Sequence, residues 1–432
     1  MNRLLLPLAA ALLSGCMYIH PAGGSASTRT RPDSAAATGR TVWPQRWGDD
    51  RPGLGKCVVV PIDGPLSAWE PARHGHWHHR LPDSTSDEAV RALAVGRTDE
   101  AGYRFRMEGF GAFLFLRDPD IPVPDGDAPD RNEPAFMFVF TSGRVDESKP
   151  EEPHVDIDRT WFAYYDHRRG GRPEPNDAGD GVVMMMPGLF GVPEKVMEIM
   201  VSTMRQHGWN VVRMLAPPAR FVERTDIVLD PDDESTALDA ATELMHRIAE
   251  TAYAAEGAMG YVLDQRPALR ARPKVLLGGS AGAMSLPAAM MRDPDTYDAA
   301  VLIAGGSNIL DIVSRSTYTK PIGALEFTWA GLPEGDVPPR DVLDRFTARY
   351  LEHAPLDGHN AAGAFMGKPV LMLHASADEA VPADSGDRLW SSLGEPERWV
   401  IQGNHMTLFL SLWLHTPRIM TWLDEHVLGV SP

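Results

Sequence analysis

The chain has 432 residues, enough for one large or two modest domains. Its 43% hydrophobic and 23% charged residues are those of an ordinary soluble globular protein able to build a sizeable core. A net charge of −18 argues against a nucleic-acid partner, because phosphate binding needs concentrated Lys and Arg.

The chain opens with a targeting segment. Asn2 and Arg3 give a short basic start, and Leu4 to Leu13 form an apolar run too short to cross a bilayer, as in the core of a signal peptide. The run ends in Leu13-Ser14-Gly15-Cys16, which resembles the lipobox of bacterial lipoproteins. That resemblance implies cleavage after residue 15, lipidation of Cys16 and a membrane anchor on the periplasmic side. Met17, standing where an aspartate would retain such proteins, implies transfer to the outer membrane. The plainer reading is a secretory signal with a chance cysteine. Besides Cys16 only Cys57 exists, so a lipidated chain has no internal disulfide; Cys57, ahead of Val58-Val59-Val60, reads as a small buried apolar residue.

Residues 16–55 are rich in Ser, Ala, Thr, Gly, Pro and Arg without apolar period, which predicts a flexible tether. Residues 56–153 offer short β-like runs (Cys57–Val60, Tyr103–Met107, Ala112–Leu116, Phe136–Thr141) and no convincing helix. They form either a β-rich N-terminal region or extra strands on a main sheet. Within them His74-Gly75-His76-Trp77-His78-His79 invites a metal, but no Asp, Glu or Cys at ligand spacing accompanies it, so a solvated loop is expected and no metal or cofactor is assigned.

From residue 154 the pattern alternates. Arg159–Tyr165, Val182–Met186, Asn210–Leu215, Val275–Leu277, Ala300–Ile303, Val370–His374 and Trp399–Ile401 read as strands, with helical periodicity between most of them. Val196, Met197, Ile199, Met200 and Met204 mark one helix; a long one runs from Ser235, a candidate N-cap, to about Leu263. The expectation is an α/β fold, a doubly wound and mostly parallel sheet, over residues 154–432. Between about 307 and 368 the alternation stops for a stretch of about sixty residues, long for a compact α/β unit. Phe327, Trp329, Leu332, Phe346 and Tyr350 predict that it is ordered, as a cap inserted over the sheet edge.

The strongest local motif is Gly278-Gly279-Ser280-Ala281-Gly282, placed after an apolar strand and before a helix. A nucleophile on such a turn needs small neighbours, and the following helix N-terminus offers N–H groups to a developing oxyanion. The chain from about Val155 onward resembles the α/β-hydrolase superfamily. That resemblance implies a triad in the order Ser, acid, His: Ser280, then Asp378 in Ala377-Asp378-Glu379-Ala380-Val381-Pro382 after a late strand, then His405 in Gly403-Asn404-His405 after the last one. Ala375 stands where the family often has glycine. Glu379 and Asp384 compete for the acid role, and His374 reads as a structural residue at a strand end.

For the oxyanion hole the resemblance implies the N–H groups of Ala281 and of Leu189, with Phe190 as the second choice, in Met186-Pro187-Gly188-Leu189-Phe190-Gly191. Pro187 stands where histidine is frequent in the family. The implied activity is hydrolysis of carboxylic esters of small molecules through an acyl-enzyme. A peptidase or an acyltransferase would use the same groups, and a non-catalytic binding protein of this fold is the reading from another class. The N-terminal part is too short for the propeller that accompanies some peptidases.

Overall fold

The structure is a computed structural model that describes residues 17–20, 43, 58–62, 77–80, 134–146, 154–169, 172–173, 177–189, 194–215, 217–218, 221, 225–318 and 325–430. Its centre is a sheet of parallel strands. These are β8 (Gly181–Met186), β9 (Trp209–Met214), β11 (Lys274–Gly279), β12 (Ala299–Ile303), β14 (Val370–Ala375) and β15 (Glu397–Ile401). The strands numbered between and before them are β1 (Met17–His20), β2 (Val58–Ile62), β3 (Trp77–Arg80), β4 (Phe136–Asp146), β5 (His154–Tyr165), β6 (Arg168–Arg169), β7 (Arg172–Pro173), β10 (Thr225–Leu229) and β13 (Leu325–Trp329). Along the main sheet the order is β1-β15-β14-β12-β11-β8-β9-β5-β4-β2, with β3 beside β5. This is the expected doubly wound sheet of the α/β-hydrolase fold, extended at both margins by antiparallel strands.

The parallel strands read as continuous apolar runs because both faces are covered. Their alternation sorts side chains between two cores: Val182, Met184, Met186, Leu276 and Met372 face one way, and Val183, Met185, Val275, Leu277 and Leu371 the other. The first face is covered by α2 (Glu234–Gln265) and α3 (Ala281–Arg292), the second by α1 (Glu194–Gln206) and, past the four helices named below, α8 (His405–His426). Helix α2 begins on Asp233, whose carboxylate accepts from Ser235 N at 2.9 Å, so the cap stands two residues before the expected Ser235. Both residue types cap helices, and Asp233 wins because Ser235 already belongs to the first turn.

The structure selects among, or changes, several sequence expectations. The strands described within residues 58–146 all pair into the main sheet; β4 and β5 form a long antiparallel ladder from Phe136↔Tyr164 to Asp146↔His154. Trp77–His79, expected in a solvated loop, belong to the strand Trp77–Arg80, which pairs with His154–Ile157. Met17–His20, expected as tether, pairs with Arg398–Ile401, and Trp43 packs its ring 5.7 Å from that of Tyr253. The rest of the 16–55 segment, Cys16 and Cys57, His74 and His76, the runs Tyr103–Met107 and Ala112–Leu116, and Phe190 lie outside the described residues.

The long interruption is ordered where described. It contains α4 (Ile309–Arg315), β13, α5 (Arg340–His353) and the short α6 (Gly358–Ala361), after which β14 returns to the sheet and α7 (Ala383–Ser392) connects it to β15. Strand β13 pairs in parallel with β10, which comes from a second excursion after β9. Buried Asp357 ties the segment down: its carboxylate accepts from the N–H groups of Asn308, Ile309 and His359 and from the Tyr350 hydroxyl, at 2.8–3.0 Å. Among the described residues no helix is long and apolar enough to cross a membrane.

Candidate active site

The chain moves from β8 to β9 on one side and continues from β11 on the other, so the sheet switches direction between β8 and β11. Open α/β sheets bind ligands beyond the C-terminal ends of their strands at such a switch. Ser280 follows β11 directly, and Gly188 follows β8. Their loops touch: a Cβ built on Gly188 would lie 3.0 Å from Ser280 Cβ.

Ser280 has φ 52° and ψ −118°, a region that costs a non-glycine residue roughly 1–3 kcal/mol. The surroundings hold it there. Its N–H donates to Ile303 O at 2.8 Å, and its carbonyl accepts from Met284 N at 3.0 Å in the first turn of α3. Close packing explains the motif glycines. A Cβ at 278 would fall 2.7 Å from the Gly282 backbone, and one at 282 would fall 2.3 Å from Met186 O. Ser280 is half-buried at this turn.

The acid and the imidazole come from neighbouring strands. His405 Nδ1 lies 2.7 Å from Asp378 Oδ2, with 8% and 5% of the two residues exposed. The other carboxylate oxygen, Oδ1, accepts from Ala380 N at 3.0 Å and Val381 N at 2.8 Å. Backbone bonds stitch the two loops together: Ser376 N donates to Ile401 O and Ala377 N to Gly403 O. Only Gln402–Asn404 separate β15 from α8, so His405 opens a helix rather than sitting in a loop. Asn404 is its N-cap, accepting from Thr407 N at 3.0 Å.

This geometry separates Asp378 from its competitors. Glu379 is exposed, and Asp384 is bound to Arg315 at 2.9 Å and Arg388 at 3.3 Å. Burial pushes the Asp384 carboxyl up, but the Arg315 and Arg388 guanidinium groups outweigh it and hold the group below the usual range. His374 is buried inside β14, its ring packed against Gly386. Burial first, and then the charge of Arg398, push it down to about 4, so it is neutral near pH 7.

Ser280 is brought to the same end of the sheet as the Asp378–His405 pair, without a hydrogen bond to His405. The link is Phe409, one turn along α8. Its ring lies 4.8 Å from that of His405, and a Cβ on Gly279 would meet it at 2.8 Å. Two neighbours were missed from sequence. Phe409 was legible in principle, four residues from His405 on one helix face. Tyr318, whose ring lies 5.8 Å from the imidazole, had no signal, since it comes from the interrupted segment. Burial, and then the charges of Asp378 and Glu379, push its phenol up.

The N–H of Ala281, at the first position of α3, has no acceptor within its helix. Leu189 lies half-buried in the loop after β8. Behind Ala281 a small recess, with room for about one water molecule, lies between Pro187, Met214, Phe221, Thr251 and Ser285. Among the described residues no group of three or more His, Cys, Asp or Glu could hold a metal.

No protein-family model matches the chain, and no curated protein matches it. Among solved structures it is similar to an esterase of Pyrococcus furiosus, at 12% identity and a TM-score of 0.39 over 62% of this chain and 88% of that one. It is similar to a cold-adapted esterase from an Arctic intertidal metagenomic library, at 16% identity and a TM-score of 0.37 over 67% and 94%. A third is the acylaminoacyl peptidase of Pyrococcus horikoshii, at 14% identity and a TM-score of 0.41 over 64% of this chain; the match spans 40% of that longer protein.

Proposed function

We propose that the protein is a serine hydrolase that cleaves carboxylic esters through an acyl-enzyme on Ser280. The observation that carries the reading is the strained Ser280 turn at the same sheet edge as the buried Asp378–His405 pair. With Nδ1 committed to Asp378, His405 has Nε2 available as the base. In the reaction Ser280 Oγ attacks the ester carbonyl while Nε2 takes the hydroxyl proton. Asp378 fixes the tautomer and stabilises the imidazolium. The N–H groups of Ala281 and Leu189 stabilise the oxyanion. Collapse breaks the ester C–O bond, and the alkoxide leaves with the proton from His405. A water then gives its proton to His405 and attacks the acyl-enzyme, releasing the carboxylic acid and free Ser280.

The test is labelling with a fluorophosphonate, followed by p-nitrophenyl esters of increasing chain length and peptide p-nitroanilides. Wild type should label stoichiometrically at Ser280. Ser280→Ala should lose label and ester turnover with its unfolding midpoint nearly unchanged. Undiminished turnover in folded Ser280→Ala overturns the proposal, and preference for the anilides turns it into a peptidase.

The reading includes export and a lipid anchor on Cys16, on the periplasmic side and with Met17 favouring the outer membrane. Its support is the order basic start, apolar run, Leu13-Ser14-Gly15-Cys16. A clickable fatty acid should label wild type and not Cys16→Ala; equal label in both refutes the anchor.

A further inference from the structure

The register of β1 decides where an N-terminal lipid would sit. β1 runs antiparallel to β15, with Met17 opposite Ile401 and His20 opposite Arg398. β15 runs parallel to β14, β12, β11 and β8, whose C-terminal ends carry the Asp378, Ser280 and Gly188 loops. Because β1 runs the other way, its first residue stands at that same end. Met17 therefore lies beside the residue that leads through Gln402–Asn404 into His405. Cys16 is one peptide bond further, and consecutive Cα atoms are about 3.8 Å apart.

We propose that the lipid on Cys16 holds the catalytic edge of the sheet against the bilayer, so that the site takes esters presented at a lipid surface. The inference rests on the Cys16 anchor and the Ser280 nucleophile proposed above. A free tether over residues 16–55 would have an r.m.s. reach of roughly 35 Å and leave the body free to turn. Pairing of Met17–His20 removes that slack between lipid and folded edge. An acyl chain buried in hydrocarbon then brings the neighbouring loops to the headgroups.

Those loops suit that position. Ser376, Ala377, Glu379, Gln402 and Asn404 are exposed there, and only Glu379 of these carries a charge. In a chain of net charge −18 this margin is one that an anionic leaflet repels little. The opposite end of the parallel strands, where Arg272 is exposed just ahead of β11, would face away from the bilayer.

The experiment uses the full lipidated protein in vesicles of phosphatidylethanolamine and phosphatidylglycerol containing headgroup spin-labelled lipid. A fluorophore is placed by Gln402→Cys or by Arg272→Cys, each with Cys57→Ala. Quenching should be several-fold stronger at position 402 than at 272. A Gly/Ser insert of about ten residues between Cys16 and Met17 should bring the two together by restoring slack. Equal or reversed quenching in protein whose Cys16 carries the fatty acid overturns the orientation and leaves the anchor standing. Absence of fatty acid on Cys16 overturns the anchor and the orientation with it. Fluorophosphonate labelling of Ser280 in the same samples reports the nucleophile independently; labelled protein that turns over a vesicle-borne ester no faster than its Cys16→Ala variant overturns the surface-substrate part.

Discussion

Asp378 gives one carboxylate oxygen to His405 and the other to the backbone of its own loop, so the acid is locked before the imidazole meets it. Asp378→Asn should therefore lower kcat by a factor on the order of 10⁴, because the amide favours the wrong imidazole tautomer. Glu379→Gln, at an exposed neighbour, should change kcat little. Steady-state kinetics on the two variants decide the assignment, and the reverse ranking would move the acid to Glu379.

The contact between Gly282 and the end of β8 predicts a stability effect. Gly282→Ala drives a methyl to within 2.3 Å of Met186 O, in a strand held on both sides by the sheet. It should cost about 1–3 kcal/mol in urea unfolding and reduce activity by shifting the loop that carries Leu189. Gly260→Ala, exposed in α2 with open space around the new methyl, should instead stabilise by about 0.5–1 kcal/mol.

His374 predicts a pH dependence of stability. Burial, with Arg398 adding to it and Asp387 and Asp378 opposing, takes its pKa from 6.5 to about 4 in the folded chain. Above 6.5 both states keep the ring neutral and the stability is full. As pH falls from 6.5 towards 4 the unfolded chain takes up a proton that the folded chain refuses, and stability is lost. Below about 4 the loss is complete, on the order of 3 kcal/mol. Urea titrations at stepped pH, comparing wild type with His374→Asn, should show a shallower decline in the variant. Identical slopes would remove His374 as the cause.

The positions of Ser280, Asp378 and His405 at one end of the sheet were legible because each lies within four residues of the end of an apolar strand, and strand–turn context sets them apart from residues that are common in loops. The parallel core was legible for the same reason, since strands covered on both faces read as uninterrupted Val, Leu and Met. The pairing of β10 with β13 was not. Thr225 and Leu325 meet across an intervening α2, β11, α3, β12 and α4, and nothing local specifies the partner. Met17–His20 was hidden differently: four residues beside a Ser- and Gly-rich stretch carry too little periodicity, and only the unpaired margin of β15 makes them a strand. Tyr318 lies in a segment whose sequence shows order but not direction, so its approach to His405 depends on tertiary packing alone.

The backbone of Ser280 also restricts which hydroxyl or thiol side chains this turn can ever hold. At φ 52° and ψ −118° a β-branched side chain crowds the adjacent peptides, so threonine is barred although it too carries a hydroxyl. Cysteine is unbranched at Cβ and fits where serine fits. A lineage that keeps this turn can exchange oxygen for sulfur, and with it the proposed ester intermediate for a thioester, but it cannot exchange a primary alcohol for a secondary one.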